Sequence, residues 1–115
     1  AKYLCKQVSL KNPATNIKLY IDMLKFLYND IQIWYRTVPS DVEASIDTIE
    51  WQQAFLDQDV VSESATDFKE TETTIPNNVG GMLPEFKAFQ IKLILKTKNS
   101  AQPPAVKNFR ALAIT

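Results

Sequence analysis

Three stretches of this sequence alternate apolar and polar residues with a period of two, which commits them to strands with one face on a core and one toward water. In Ile17–Met23 the apolar residues Ile17, Leu19, Ile21 and Met23 are separated by Lys18, Tyr20 and Asp22. Ile31–Thr37 repeats the pattern, with Ile31, Ile33 and Tyr35 on one face. The longest run, Phe86–Thr97, sets Phe89, Ile91, Leu93 and Leu95 against Gln90, Lys92, Ile94 and Lys96. The domain is therefore β-rich.

Weaker strands fill the intervals. Tyr3–Leu10 carries Leu4, Val8 and Leu10 in phase, and Trp51–Leu56 is a further candidate. Phe68–Ile75, with Thr71, Thr73 and Ile75 in phase, fits an exposed or edge strand. Val106–Ile114 is apolar on both faces toward its end (Phe109, Ala111, Leu112, Ala113, Ile114), as expected of a strand buried within a sheet. Turn-forming residues fall between these segments: Asn12-Pro13, Asn29-Asp30, Pro39-Ser40, Asn77-Asn78 with Gly80-Gly81, and Asn99-Ser100 with Pro103-Pro104. Ser40 and Glu43 have capping-box spacing, predicting a short helical turn within 41–49. The acidic, Ser-rich stretch Asp57–Asp67 is expected to be a loop. Together these predict an all-β fold, an antiparallel jelly-roll-type β-sandwich of about 7–8 strands. A chain of 115 residues suits one hydrophobic core. It starts without Met and almost directly on a strand, so the expectation is a single domain, residues 1–115, belonging to a longer chain or assembly.

Residues the chain lacks narrow its chemistry. It has no histidine, which removes the commonest general base and metal ligand, and with them any Ser-His-Asp or Cys-His arrangement. One cysteine, Cys5, allows neither an intrachain disulfide nor a cysteine zinc site, and in its apolar-rich setting it is expected to be a small core residue. The two glycines are adjacent, Gly80-Gly81, so no phosphate-binding glycine loop exists. The expectation is no enzyme, no cofactor and no metal. Acids cluster in two stretches, Asp41, Glu43, Asp47, Glu50 and then Asp57, Asp59, Glu63, Asp67. A glycosidase-type carboxylate pair or a calcium loop is conceivable there, but solvated surface is the ordinary meaning of such clusters. Thirteen Lys plus Arg balance thirteen Asp plus Glu, which argues against nucleic-acid and acidic-membrane partners and favours association with other proteins.

Aromatic residues offer a second function. If Ile33 and Tyr35 face the core, Trp34 points outward, beside Tyr20 by its own strand's phase; Tyr20, Trp34 and Trp51 are then candidates for stacking on sugar rings. Lys92 and Lys96 share a face, as on a solvated edge or outer face.

The phrasing of the strands resembles a β-sandwich module of virion structural proteins in tailed, marine myovirus-like bacteriophages. The resemblance lies in Tyr3–Leu10, Asn12-Pro13-Ala14 and Ile17–Ile21, then Ile31–Thr37, Trp51 after an acidic linker, Phe86–Leu95, and Val106–Ala113 after Pro103-Pro104. The closing strands are also similar to galactose-binding-like jelly rolls. Met23-Leu24-Lys25-Phe26-Leu27 replaces the polar, Pro-containing loop usual in such phage modules. The resemblance implies a non-catalytic assembly module of a tail, baseplate or fibre, put together in the host cytoplasm, with other virion proteins as partners in an oligomeric assembly. The extra apolar surface of that departing segment suggests a contact with another chain or domain, which makes Met23, Leu24, Phe26 and Leu27, with the outward-facing Trp34, the contact candidates. The alternative is a carbohydrate-binding module recognising a host-surface glycan.

Overall fold

The computed structural model describes residues 2–56, 59–78, 80–98 and 101–115. Among them the strands are β1 (Lys2–Leu4), β2 (Val8–Ala14), β3 (Asn16–Leu24), β4 (Asn29–Pro39), β5 (Gln52–Ala54), β6 (Lys69–Ile75), β7 (Phe86–Thr97) and β8 (Ala105–Ile114). A single 3-10 turn, Ile46–Thr48, lies within the stretch expected to hold one, although Ser45 rather than Ser40 caps it. The strands form two antiparallel sheets. The larger has the order β1-β7-β4-β5, with β2 also paired to β7, and the smaller has the order β6-β3-β8. Every connection except β1–β2 and β4–β5 passes from one sheet to the other, so the fold is a β-sandwich with crossing, jelly-roll-like connectivity.

The period-two segments supply the core. Ile17, Leu19, Ile21 and Met23 of β3 meet Ile31, Ile33 and Tyr35 of β4 and Phe89, Ile91, Leu93 and Leu95 of β7, and all are buried. Phe86 and Phe89 pack edge to face, with ring centroids 6.1 Å apart. Of the inward-facing residues of β6, Ile75 belongs to this core, and Thr73 is as deeply buried.

Several expectations need correction. β8 is an edge strand rather than a mid-sheet one. Its pairing with β3 slips between Tyr20↔Arg110 and Asp22↔Lys107, so Asn108 and Phe109 together oppose Ile21. Asn108 takes φ 53 at this bulge, the left-handed region that Asn tolerates better than most residues. The extra residue shifts the phase: Phe109, Ala111 and Ala113 pack on the core, and Leu112 and Ile114 are left outside. Apolarity on both faces thus marks a bulged edge and not a doubly covered strand. Tyr3–Leu10 is broken into β1 and β2 at Cys5-Lys6-Gln7, and Asn12-Pro13 lies within β2 rather than in a turn. Pro13 is tolerated because β2 pairs with β7 only at Val8, Ser9 and Ala14. Asn99-Ser100, Asp57 and Gln58 lie outside the described residues.

The expected contact segment is mostly interior. Met23, Leu24 and Phe26 are all buried within the chain, so they close the core at the end of β3 and are not available as a docking surface. The apolar residues of this segment other than Leu27 are spent on packing. Only Leu27 of that segment projects into solvent, 71% exposed.

Candidate functional site

Strand register, more than any one motif, organises the outer face of the larger sheet. β7 runs through the sheet between β1 and β4, and its buried residues Ile91, Leu93 and Leu95 oblige Gln90, Lys92 and Ile94 to point outward. Across the sheet, Leu4 pairs with Lys92, Lys92 with Trp34, and Trp34 with Gln53. One row away, Lys2 pairs with Ile94 and Ile94 with Gln32. On the other side Gln90 pairs with Arg36, and Trp51, which shares its parity with Gln53, stands next in line. The result is a surface of two tryptophans, two aliphatic residues, three cations and three glutamines.

Its geometry is well fixed around Arg36. The guanidinium donates to Gln90 Oε1 from Nε at 3.0 Å and from Nη2 at 2.7 Å, to the Ile49 carbonyl at 3.3 Å, and to Asp47 Oδ1 at 3.3 Å. Gln90 in turn donates from Nε2 to the Cys5 carbonyl at 2.9 Å, tying the β1–β2 corner to the network. The guanidinium carbon lies 4.2 Å from the centre of the Trp51 ring and Lys92 Nζ lies 4.3 Å from it. Lys92 Nζ also stands 5.7 Å from the Trp34 ring, whose Nε1 donates to Gln32 Oε1 at 3.2 Å. Such cation–π contacts are worth roughly 0.5–1 kcal/mol each at exposed sites. Desolvation pushes the Lys92 ammonium below its ordinary value, helped by repulsion from Lys2 and Arg36. The segment carrying the 3-10 turn covers the far end of this face, where Ile46 and Ile49 pack on Val38 and Ala88. The part holding Leu4, Lys92, Trp34 and Ile94 is left open, with Leu4 56% exposed.

The other candidates are scattered. Trp34 and Trp51 share this face, but Tyr20 does not: β3 and β4 have the same phase yet belong to different sheets, so their outward residues look in opposite directions. The anticipated Trp34–Tyr20 pair is therefore absent, and no platform of Tyr20, Trp34 and Trp51 forms. Tyr20 instead lies between Arg110, at 4.7 Å, and Lys18, at 5.4 Å, beside a shallow groove lined by Asp22, Glu70, Glu72 and Asn108. Leu27 sits with Tyr28, 60% exposed, at the tip of a turn linking the two sheets. The turn is pinned by buried Asn29, which accepts from the Phe26 N–H at 2.9 Å and donates from Nδ2 to Thr97 Oγ1 at 2.8 Å and to the Gln102 carbonyl at 3.0 Å.

Four of the loop acids are drawn into separate ion pairs: Asp47 with Arg36, Glu43 with Lys87, Asp59 with Lys25, and Asp67 with Lys69. Asp67 also accepts from the Glu63 N–H, which together with Lys69 holds its carboxyl below the usual range. No group of three or more His, Cys, Asp or Glu among the described residues is placed to hold a metal ion. Lys96 is on an outer face as expected, but in β7, which is not an edge.

Arg36, Gln90 and Lys2 were not singled out from sequence. Arg36 and Trp34 are two apart on one strand, so their shared face was legible, but their union with Gln90 and Trp51 depends on the register of β4 against β7 and β5. No protein-family model matches the chain, and no curated protein or solved structure matches it either.

Proposed function

We propose that this domain is a non-catalytic assembly module that acts through protein–protein contacts on the outer face of its larger sheet. The observation that carries the reading is the Trp51 indole held against Arg36 and Lys92 on a face that, among the described residues, no other element covers at the Trp34 end. Tryptophan and arginine are the residue types most enriched among those that dominate binding energy at protein interfaces. Arg36 is fixed by four hydrogen bonds and its side chain is only 10% exposed, so the aromatic surface is presented in one arrangement and little ordering is required on binding. Leu4 and Ile94 extend it with aliphatic area.

The setting we propose, a tail, baseplate or fibre of a tailed-phage virion with other virion proteins as partners, rests on the phrasing of the strands alone. A sugar-binding role fits the face less well, because two cations already lie against the Trp51 ring and Tyr20 is on the opposite sheet. The test is an array of neutral glycans probed with the folded chain, with and without Ca²⁺. A blank array is expected. Saturable binding to one defined neutral glycan, lost on Trp34→Ala, would overturn the assembly reading in favour of a carbohydrate module.

A further inference from the structure

Charge on this face is unevenly compensated. Arg36 has Asp47 and Gln90, but neither Lys92 nor Lys2 has a carboxylate within ion-pair distance among the described residues. The three rows that run through Lys2, Lys92 and Arg36 contain no acid; the nearest on β4 is Asp30, which faces Lys96 one row further on. The opposite face of the sandwich is different, because there Lys18, Lys107 and Arg110 are interleaved with Asp22, Glu70 and Glu72.

Lys2 and Lys92 are diagonal neighbours, since Lys2 faces Ile94 and Lys92 faces Leu4 in the β1–β7 ladder. Diagonal positions of an antiparallel pair have their side-chain bases about 7–8 Å apart. In an extended peptide, side chains two residues apart point the same way with a spacing of about 6.6–7 Å. Those two spacings match. A small lone anion could satisfy one ammonium group, but an extended segment with acids at alternate positions reaches both.

We propose that the outer face of the larger sheet binds an acidic, extended segment of a partner protein, with carboxylates two residues apart meeting Lys2 and Lys92 and its apolar side chains resting on Leu4, Ile94 and Trp34. This rests on the assembly reading and names its partner chemistry. Binding would also relieve the mutual repulsion of Lys2, Lys92 and Arg36, which at present disfavours the charged form of Lys92. Leu4 and Ile94 favour a polypeptide over an anionic sugar, because aliphatic side chains offer a sugar hydroxyl nothing to bond.

The chain has two tryptophans, and both lie on this face, so intrinsic fluorescence reports on it directly. The experiment titrates the whole chain with an oligoglutamate peptide at low salt and follows the emission. A saturable change is expected, weakened roughly tenfold by Lys92→Glu or by Lys2→Glu, as like-charge juxtaposition should do. Lys107→Glu, on the other sheet, is expected to leave it unaltered. Both test lysines are solvent-accessible, and the exposed Lys2 serves if Lys92→Glu disturbs folding by circular dichroism. Absence of a saturable change, or binding by the folded Lys92→Glu and Lys2→Glu variants as tight as that of the unaltered chain, overturns the proposal. Binding of a sulfated oligosaccharide or of phosphatidylserine vesicles, with none of oligoglutamate, also overturns it. Those results reject only the partner, whereas a neutral glycan bound at this face rejects the assembly reading beneath it.

Discussion

Among the described residues, Thr73 is the one inward-facing hydroxyl whose replacement should make this domain more stable. It lies on β6 opposite Leu19, is 1% exposed, and its Oγ1 has no hydrogen-bond partner among the described residues. A buried polar group left unsatisfied costs about 1–3 kcal/mol relative to its hydrated state in the unfolded chain. Thr73→Val exchanges that hydroxyl for a methyl of similar size and keeps the β-branch that suits a strand. The methyl adds up to about 0.8 kcal/mol of apolar burial, offset in part by tighter packing against Leu19. The expected net gain is about 1–2 kcal/mol, or roughly 4–10 °C in Tm for a domain of this size. Urea denaturation is the assay of choice, since a rise in midpoint with an unchanged slope isolates stability from any change in compactness. Thr74→Val, one residue along on the outer face opposite Lys18, is the control and should move stability by no more than about 0.5 kcal/mol. If Thr73→Val is neutral or destabilising, the hydroxyl is satisfied in the folded protein and the reasoning fails.

Two further outcomes follow from burial. Leu24→Asp with Phe26→Asp is expected to abolish folding by circular dichroism, because both side chains are interior; a folded double variant would return these residues to the surface. Burial pushes the Cys5 thiol above its ordinary value, so the reactive thiolate is scarce at neutral pH. Alkylation by iodoacetamide should be slow there and keep accelerating as pH rises past the range where a free cysteine has levelled off; a rate already at plateau near neutrality would contradict the burial.

How much of this was legible in the sequence depended on whether a feature was local. The alternation in Ile17–Met23, Ile31–Thr37 and Phe86–Thr97 is a property of single strands, and each appears where the pattern put it, within β3, β4 and β7. Errors arose where a second chain segment decides. The bulge at Asn108 is defined only against Ile21, so the apolar run Phe109–Ile114 looked two-sided when it was one-sided with a slip. Trp34 and Tyr20 have the same parity, but parity cannot say to which sheet a strand belongs. Leu24 and Phe26 stood in a stretch expected to be loop, where apolar residues suggest a contact; the crossing between sheets places them over the end of the core instead. The Arg36–Gln90 pair, 54 residues apart in sequence, needed the register itself.

The same distinction bears on what the zero net charge means. Charge balance over the whole chain predicts weak general attraction to polyanions, and it says nothing about how charge is distributed over two faces that never touch each other. On the smaller sheet, acids and bases share neighbouring strands: Lys18 reaches Glu72 at 3.8 Å, and Asp22 lies opposite Lys107. Around the larger sheet, the loop acids Asp47 and Glu43 are already paired with Arg36 and Lys87, and among the described residues no ion pair reaches Lys2 or Lys92. Lys2 and Lys92 are left facing solvent beside two tryptophans. A neutral chain can therefore carry a locally cationic face, and its register is what brings those charges together. Association driven by that face should weaken with salt, since exposed charges are screened within about 8 Å at physiological ionic strength, while the aromatic and aliphatic part of the contact should persist.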